Sequence, residues 1–158
     1  MTVQEKIKSI VEGMGETYIF DNWQTANIKL DKGVLPCVLN VLPVSGYLNV
    51  GLNQLKDKPN CMIAFMDKTE HDFDGEQNDD IIERCKNRAK EFILTINRGN
   101  VFKPIGGDVR YSTFYDKLDV NVTGIVIELQ LEEVKGNVIC STRTPKEIVY
   151  GRSEKDNQ

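Results

Sequence analysis

The chain has 158 residues, of which 40% are hydrophobic and 28% are charged, and its net charge is −4 at pH 7. This length suits one domain, and the apolar content is sufficient for a hydrophobic core. The acidic balance disfavours a general nucleic-acid binder, because such proteins usually carry a basic surplus.

The first residues contain no apolar signal core, and no apolar run approaches the length of a membrane-spanning helix. We therefore expect synthesis in a reducing cytoplasm, where a disulfide framework is disfavoured. No two cysteines form a C-x-x-C pair, and the first three lie in or beside apolar stretches, where a free thiol behaves as a small hydrophobic group. The cysteines are Cys37, Cys61, Cys85 and Cys140.

The amino-terminal third mixes clear and unclear signals. Apolar residues at helical spacing predict a short amphipathic helix over residues 3–14, with Thr2 as its N-cap and Glu5 completing a capping box. Residues 18–20 are consistent with a short strand or a docked loop. Residues 22–33 show no clear period and are interpreted as irregular, with at most one turn of helix.

Three strands are predicted next. Residues 34–42 are nearly all apolar, which indicates a central strand. Residues 47–52 predict a second, antiparallel strand, and residues 61–66 predict a third. Turns are predicted at residues 43–46 and 57–60 from their proline, glycine, asparagine and aspartate content.

The second half begins with a long helix. Residues 78–98 carry one apolar stripe at helical spacing, with acidic residues near the start of the helix and basic residues near its end, as the helix dipole favours. The stripe is formed by Ile81, Ile82, Cys85, Ala89, Phe92, Ile93 and Ile96.

Two further strands are predicted at residues 109–115 and 122–134. In the second, Ile125, Ile127 and Leu129 alternate with polar residues, which is typical of a strand with one buried face. The fold class predicted is α+β, a small, mostly antiparallel sheet backed by one long helix in the order αβββαββ. We expect one domain over residues 1–142 and a polar tail over 143–158.

Five acidic residues crowd around Gly75. They suggest a divalent-metal site, but the spacing does not match an EF-hand, so no metal ligand is assigned. The favoured interpretation is a solvated loop followed by acidic residues at a helix start; a contact for a basic partner is the third possibility. The residues are Asp72, Asp74, Glu76, Asp79 and Asp80.

Catalytic signals are sparse. His71 is the single histidine, and no orienting carboxylate or nucleophile can be assigned to it. Asp119 precedes an E-x-K formed by Glu133 and Lys135, which is the order of acids found in metal-dependent nucleases of the PD-(D/E)xK type. Leu118 stands where that pattern has proline. Two charges at the end of a core strand are the simpler interpretation.

A further signal comes from five segments of the chain, residues 35–39, 42–46, 65–75, 78–83 and 115–124. Taken in order, these segments resemble a family of small bacteriophage neck and tail proteins, including those of phages and prophages infecting gut Bacteroides. The order αβββαββ is also similar to that of phage tail terminator proteins, which assemble as rings. The resemblance implies a virion structural component with no enzymatic activity, no catalytic residue and no cofactor.

The leading hypothesis is therefore a tail terminator or head-tail joining protein located in the virion. It would form a homo-oligomeric ring, contact tail-tube or head-completion proteins, meet DNA only in passage and bind no membrane. Its acidic residues around Gly75 would face a neighbouring subunit or the lumen, where negative charge repels DNA. The alternatives are a divalent-metal nuclease and a cytoplasmic binding module of unknown ligand.

Overall fold

The computed structural model describes residues 1–30, 34–69 and 76–138. Within these residues the fold is α+β, with three helices and one mixed sheet of seven strands. In chain order the elements are α1 (Val3–Gly13), β1 (Thr17–Asp21), α2 (Trp23–Lys29), β2 (Cys37–Val41), β3 (Ser45–Val50), β4 (Gln54–Lys68), α3 (Glu76–Arg98), β5 (Arg110–Lys117), β6 (Val122–Gln130) and β7 (Asn137–Val138).

The predicted order αβββαββ is wrong, because it lacks β1, α2 and β7. β1 pairs in parallel with β2 at one edge of the sheet, whereas all other pairs are antiparallel. α2 is a helix of seven residues, too short to show a hydrophobic period. Its start is fixed by a cap instead, since the Asn22 side chain accepts a hydrogen bond from the backbone N–H of Thr25.

Strand β4 lies at the centre of the sheet. It runs without interruption through residues 57–60, so the turn predicted there is wrong. It is 15 residues long and passes straight through Pro59. Proline and asparagine favour turns locally, but the carbonyl of Pro59 accepts a hydrogen bond from the N–H of Leu131 at 2.9 Å, so the pairing continues on one side. Here pairing between distant segments overrides local preference.

Two consecutive strands lie along each side of β4. Asn60 pairs with Ser45 of β3 on one side and with Gln130 of β6 on the other. β2 and β3 therefore follow one another along one side, and β6 and β7 follow one another along the other. The path across the sheet is β1-β2-β4-β6-β5.

Helices cover both faces of the sheet, which corrects the prediction of a single backing helix. The apolar stripe of α3 is buried as predicted, with Ile93 partly buried, and it packs on one face together with α1. The predicted N-cap of α1 is confirmed, since Thr2 and Glu5 form a capping box. α2 covers part of the opposite face through a second cluster of buried residues, formed by Ala26, Leu30, Cys37, Leu39, Val41, Ala64, Met66 and Val122.

Three cysteines are free and buried, as their apolar surroundings predicted. Burial raises the pKa of the Cys37 and Cys61 thiols to about 12, and it also raises the pKa of Cys85. A thiol that remains protonated is a poor nucleophile and a poor metal ligand. These cysteines are therefore core residues, while Cys140 lies outside the described residues.

Arg88 of α3 joins the helical layer to the end of the sheet. Its guanidinium donates two hydrogen bonds of 2.7 Å to the carboxylate of Glu16, just before β1. It also donates to the backbone carbonyls of Met66 and Cys37, each at 3.1 Å, and these two residues are paired across β4 and β2. Burial opposes the charge of Arg88, but the carboxylate of Glu16 outweighs it and raises the pKa of the guanidinium.

Replacement of Arg88 by methionine should lower the free energy of unfolding by about 3 kcal/mol, because it leaves the largely buried Glu16 carboxylate without a partner. Adding Glu16→Gln should recover part of the loss, since no buried charge then remains. The exposed pair Lys8–Glu12 is the control, and Lys8→Met should cost less than about 1 kcal/mol. Equal losses for Arg88→Met and Lys8→Met in urea unfolding would contradict this role.

Candidate functional site: an uncovered hairpin

The acidic residues singled out from the sequence are only partly described. Asp72 and Asp74 lie outside the described residues, as does His71, and Glu76 is the first residue of α3. Asp79 and Asp80 are exposed near the start of this helix, and Asp79 accepts a hydrogen bond of 3.3 Å from the hydroxyl of Tyr115. Within residues 1–30, 34–69 and 76–138, no group of histidine, cysteine and acidic side chains could hold a metal ion.

The residues of the predicted nuclease pattern do not meet. Asp119 precedes β6 and is held by Asn27 of α2, whose side chain both donates to its carboxylate and accepts from its N–H. Glu133 follows β6 and is buried beside Lys6 at 3.6 Å, while Lys135 is exposed. The nine residues of β6 alone span roughly 30 Å. One metal ion therefore cannot be shared by these two acids.

The feature that stands out is the β3–β4 hairpin, formed by residues 45–60. It continues beyond the part of β4 that packs under the helices, and all six residues of β3 are exposed. Leu48 and Val50 lie on one face of the hairpin and Tyr47 on the other, because side chains alternate along a strand. The exposed fraction is 66% for Tyr47 and Leu48, 71% for Val50 and 99% for Leu52 at the tip.

The outer edge of β3 has no protection in the described part of the chain. β3 pairs with β4 on one side, and no described strand pairs with its other side. From Val44 to Leu55 the sequence contains no charged residue and no proline. Natural edge strands are usually shielded by charges, prolines, bulges or a covering segment, since an exposed apolar edge invites pairing with another chain.

Two further surfaces surround this hairpin and the far edge of the sheet. At the base of the hairpin, on the face that α2 leaves open, Met62, Glu128 and Gln130 line a groove of about 390 Å³. At the opposite edge, α3 and β5 enclose a smaller groove of about 190 Å³ with a mainly apolar lining. Both surfaces offer packing and hydrogen-bonding groups rather than an activated nucleophile.

Comparisons with protein-family models, with curated proteins and with solved structures find no match for this chain. Among the described residues, no helix is long and apolar enough to cross a membrane.

The sequence predicted a strand at residues 47–52 but not the exposure of its apolar side chains. The signal was the uncharged stretch from Gly33 to Leu55, in a chain that is 28% charged. Its first half is buried as β2, whereas its second half is exposed as β3. Composition does not distinguish these two outcomes, because the difference depends on where the helices end.

The hairpin depends on the close approach of β3 to β4 at Gly46. A Cβ atom there would lie 2.5 Å from the carbonyl oxygen of Lys58 and 2.7 Å from the Cα of Pro59. Gly46→Ala should therefore push the strands apart, and backbone amides of β3 should exchange with deuterium about tenfold faster, with β6 unaffected. Gly13→Ala is the control, since nothing lies within 4 Å of its added Cβ. Equal β3 exchange in the two variants would show that the close approach does not constrain the hairpin.

Proposed function

We propose that this protein is a non-enzymatic structural subunit of a phage virion, a tail terminator or head-tail joining protein that assembles as a homo-oligomeric ring. The observation that carries the proposal is the apolar edge of β3, with which no strand of residues 1–30, 34–69 and 76–138 pairs. A monomeric protein gains nothing from such an edge and risks aggregation. A subunit that joins identical copies gains main-chain hydrogen bonds and apolar contact from it.

The rigidity of the scaffold supports the same proposal. Both faces of the sheet carry helices, and Arg88 holds one helical layer to the ends of two strands. The hairpin therefore projects from a fixed base. A contact between two different surfaces of identical rigid subunits produces a ring when the rotation between them closes.

The phage assignment rests on the sequence resemblance to neck and tail proteins. A ring at the head-tail junction would contact tail-tube or head-completion proteins on its two sides and would meet DNA only as the DNA passes. Such a role requires shape and assembly and no catalytic centre. A binding module that uses the same hairpin for a different protein is the second candidate, because the exposed edge alone does not specify its partner.

Self-association through the hairpin is directly testable. By light scattering, the wild-type mass should rise with concentration from 17.9 kDa to a fixed multiple, and negative-stain images should show closed rings. The double variant Leu48→Lys/Val50→Lys should remain a single chain, since two desolvated charges would oppose the contact. Ile28→Lys is the matched control, because Ile28 is exposed on α2, away from the hairpin.

Three results would contradict the proposal. A wild-type mass of one chain at every concentration would favour the binding module. Assembly of the hairpin variant equal to that of Ile28→Lys would remove β3 from the contact. Metal-dependent cleavage of plasmid DNA that Glu133→Ala abolishes would favour the nuclease.

The acidic residues at the start of α3 have a role in the same proposal. Asp79 and Asp80 are exposed, and they adjoin the acidic segment that contains Asp72 and Asp74. In a ring that conducts DNA, a negative lumen limits sticking of the passing duplex. We propose that this acidic surface faces the lumen.

Neutralising part of this surface should make assembled rings retain DNA. Asp79→Asn/Asp80→Asn should increase the amount of duplex DNA that sediments with the rings at low salt, and added salt should reverse the effect. Glu12→Gln/Glu91→Gln is the control, because it removes two exposed acids elsewhere. Equal DNA retention by the two variants would contradict a luminal position.

A further inference from the structure

The groove between α3 and β5 is a second exposed apolar surface of the described chain. Its floor is formed by Ile125 and Ile127 of β6, and its walls are formed by Ala89 and Ile93 of α3 and by Tyr111 of β5. Ile93 is only partly buried, and half of Tyr111 is exposed. The groove is open, and at about 190 Å³ it is suited to a single apolar side chain rather than to a folded partner.

The rim of the groove is basic. Lys86 lies on α3 with its ammonium group 5.1 Å from the centre of the Tyr111 ring, and it also donates a hydrogen bond of 3.0 Å to Glu83. Lys90 lies one helical turn further along and is exposed. Glu83 offsets the charge of Lys86, so Lys90 is the rim charge that would repel a cationic occupant. The mainly apolar lining favours an apolar occupant with no positive charge at its tip.

The hairpin tip of the same chain meets both conditions. Leu52 is 99% exposed, and no charged residue occurs between Val44 and Leu55. The lysines of the hairpin, Lys56 and Lys58, lie on β4 closer to its base. The tip therefore presents an uncharged apolar side chain to whatever it contacts.

The tip cannot reach the groove of its own subunit. Tyr111 pairs with Ile127, and Ile127 pairs with Ile63, which places the groove at the level of Ile63 on β4. The tip lies beyond Gln54, about nine residues away along β4, or roughly 30 Å. In addition, β3 and β5 lie on opposite sides of the central strands. Contact between tip and groove therefore requires a second copy of the chain.

We propose that the hairpin tip of one subunit inserts Leu52 into the α3–β5 groove of the next subunit. This inference rests on the proposed ring assembly and names its two complementary surfaces. The contact joins two different surfaces and leaves one tip and one groove free at the ends of any open chain. Repetition of the contact closes a ring or extends a filament.

Disulfide trapping tests the position of the contact. In a Cys140→Ser background, Leu52→Cys protein is mixed with Ile93→Cys protein and oxidised. A disulfide-linked heterodimer should form at least tenfold faster than with Leu94→Cys, which places the thiol on an exposed position of the same helix outside the groove. Equal rates for the two positions would overturn the inference.

The basic rim provides a second test that does not depend on cysteines. Leu52→Lys should weaken association roughly threefold more than Leu52→Glu, because the exposed Lys90 repels only the first. Lys90→Glu in the groove should restore association of the Leu52→Lys hairpin. Melting temperatures close to wild type would verify that each variant is folded.

The outcomes separate this inference from the proposed function. Association could be lost with Leu48→Lys/Val50→Lys and yet be unchanged by substitutions at Leu52, Ile93 and Lys90. That result would contradict the contact between tip and groove but not the ring assembly. A wild-type protein that never associates would overturn both. Leu52-dependent binding to phosphatidylcholine vesicles, without self-association, would identify the tip as a lipid contact and would also overturn the inference.

Discussion

Strand β4 is longer than the core that packs on it, and the rest of the structure depends on this mismatch. Its second half, around Ile63 and Phe65, is covered by α1 and α3 and pairs with β2 and β6. Its first half continues in the same direction, is mostly half-buried rather than buried, and carries β3 along its side. The exposed strand edge therefore follows from the length of one strand relative to the helices above it.

At the other end of the sheet, the ion pair of Arg88 and Glu16 joins the helices to the strands. At this end the paired residues Cys37 and Met66 direct carbonyl groups toward Arg88, and Glu16 neutralises the guanidinium. A guanidinium has several donors in a fixed plane, so it can satisfy two carbonyls and one carboxylate together. One end of β4 is thus fixed to the helices, while the other end extends beyond them and pairs with β3 and β7.

The sequence predicted the parts of the fold that have long regular patterns. The stripe of α3 and the alternation in β6 were identified, because burial of one face leaves a periodic trace over many residues. The seven residues of α2 are too few to show a periodic pattern. Pro59 indicates a turn, although it lies within a strand. In both cases the outcome depends on contacts with distant segments, such as Asn27 with Asp119 and Pro59 with Leu131.

The candidate site was harder to predict than the fold. The acidic residues around Gly75 suggest a metal site in the sequence, because hard cations favour clustered carboxylates. Neither the described members of this group nor Glu133 belongs to a metal centre among the described residues. The uncharged residues of β3 resemble an ordinary core strand in sequence. Only the position of β3 beyond the helices shows that its apolar side chains are exposed.

We propose that the edge of β3 becomes buried between copies of this chain. Hydrogen–deuterium exchange of the β3 amides, measured from low to high protein concentration, tests this proposal. We predict that exchange in β3 slows as concentration rises, while exchange in the exposed helix α2 stays constant. β3 amides that exchange equally fast at all concentrations, in a protein whose mass does increase, would contradict the claim.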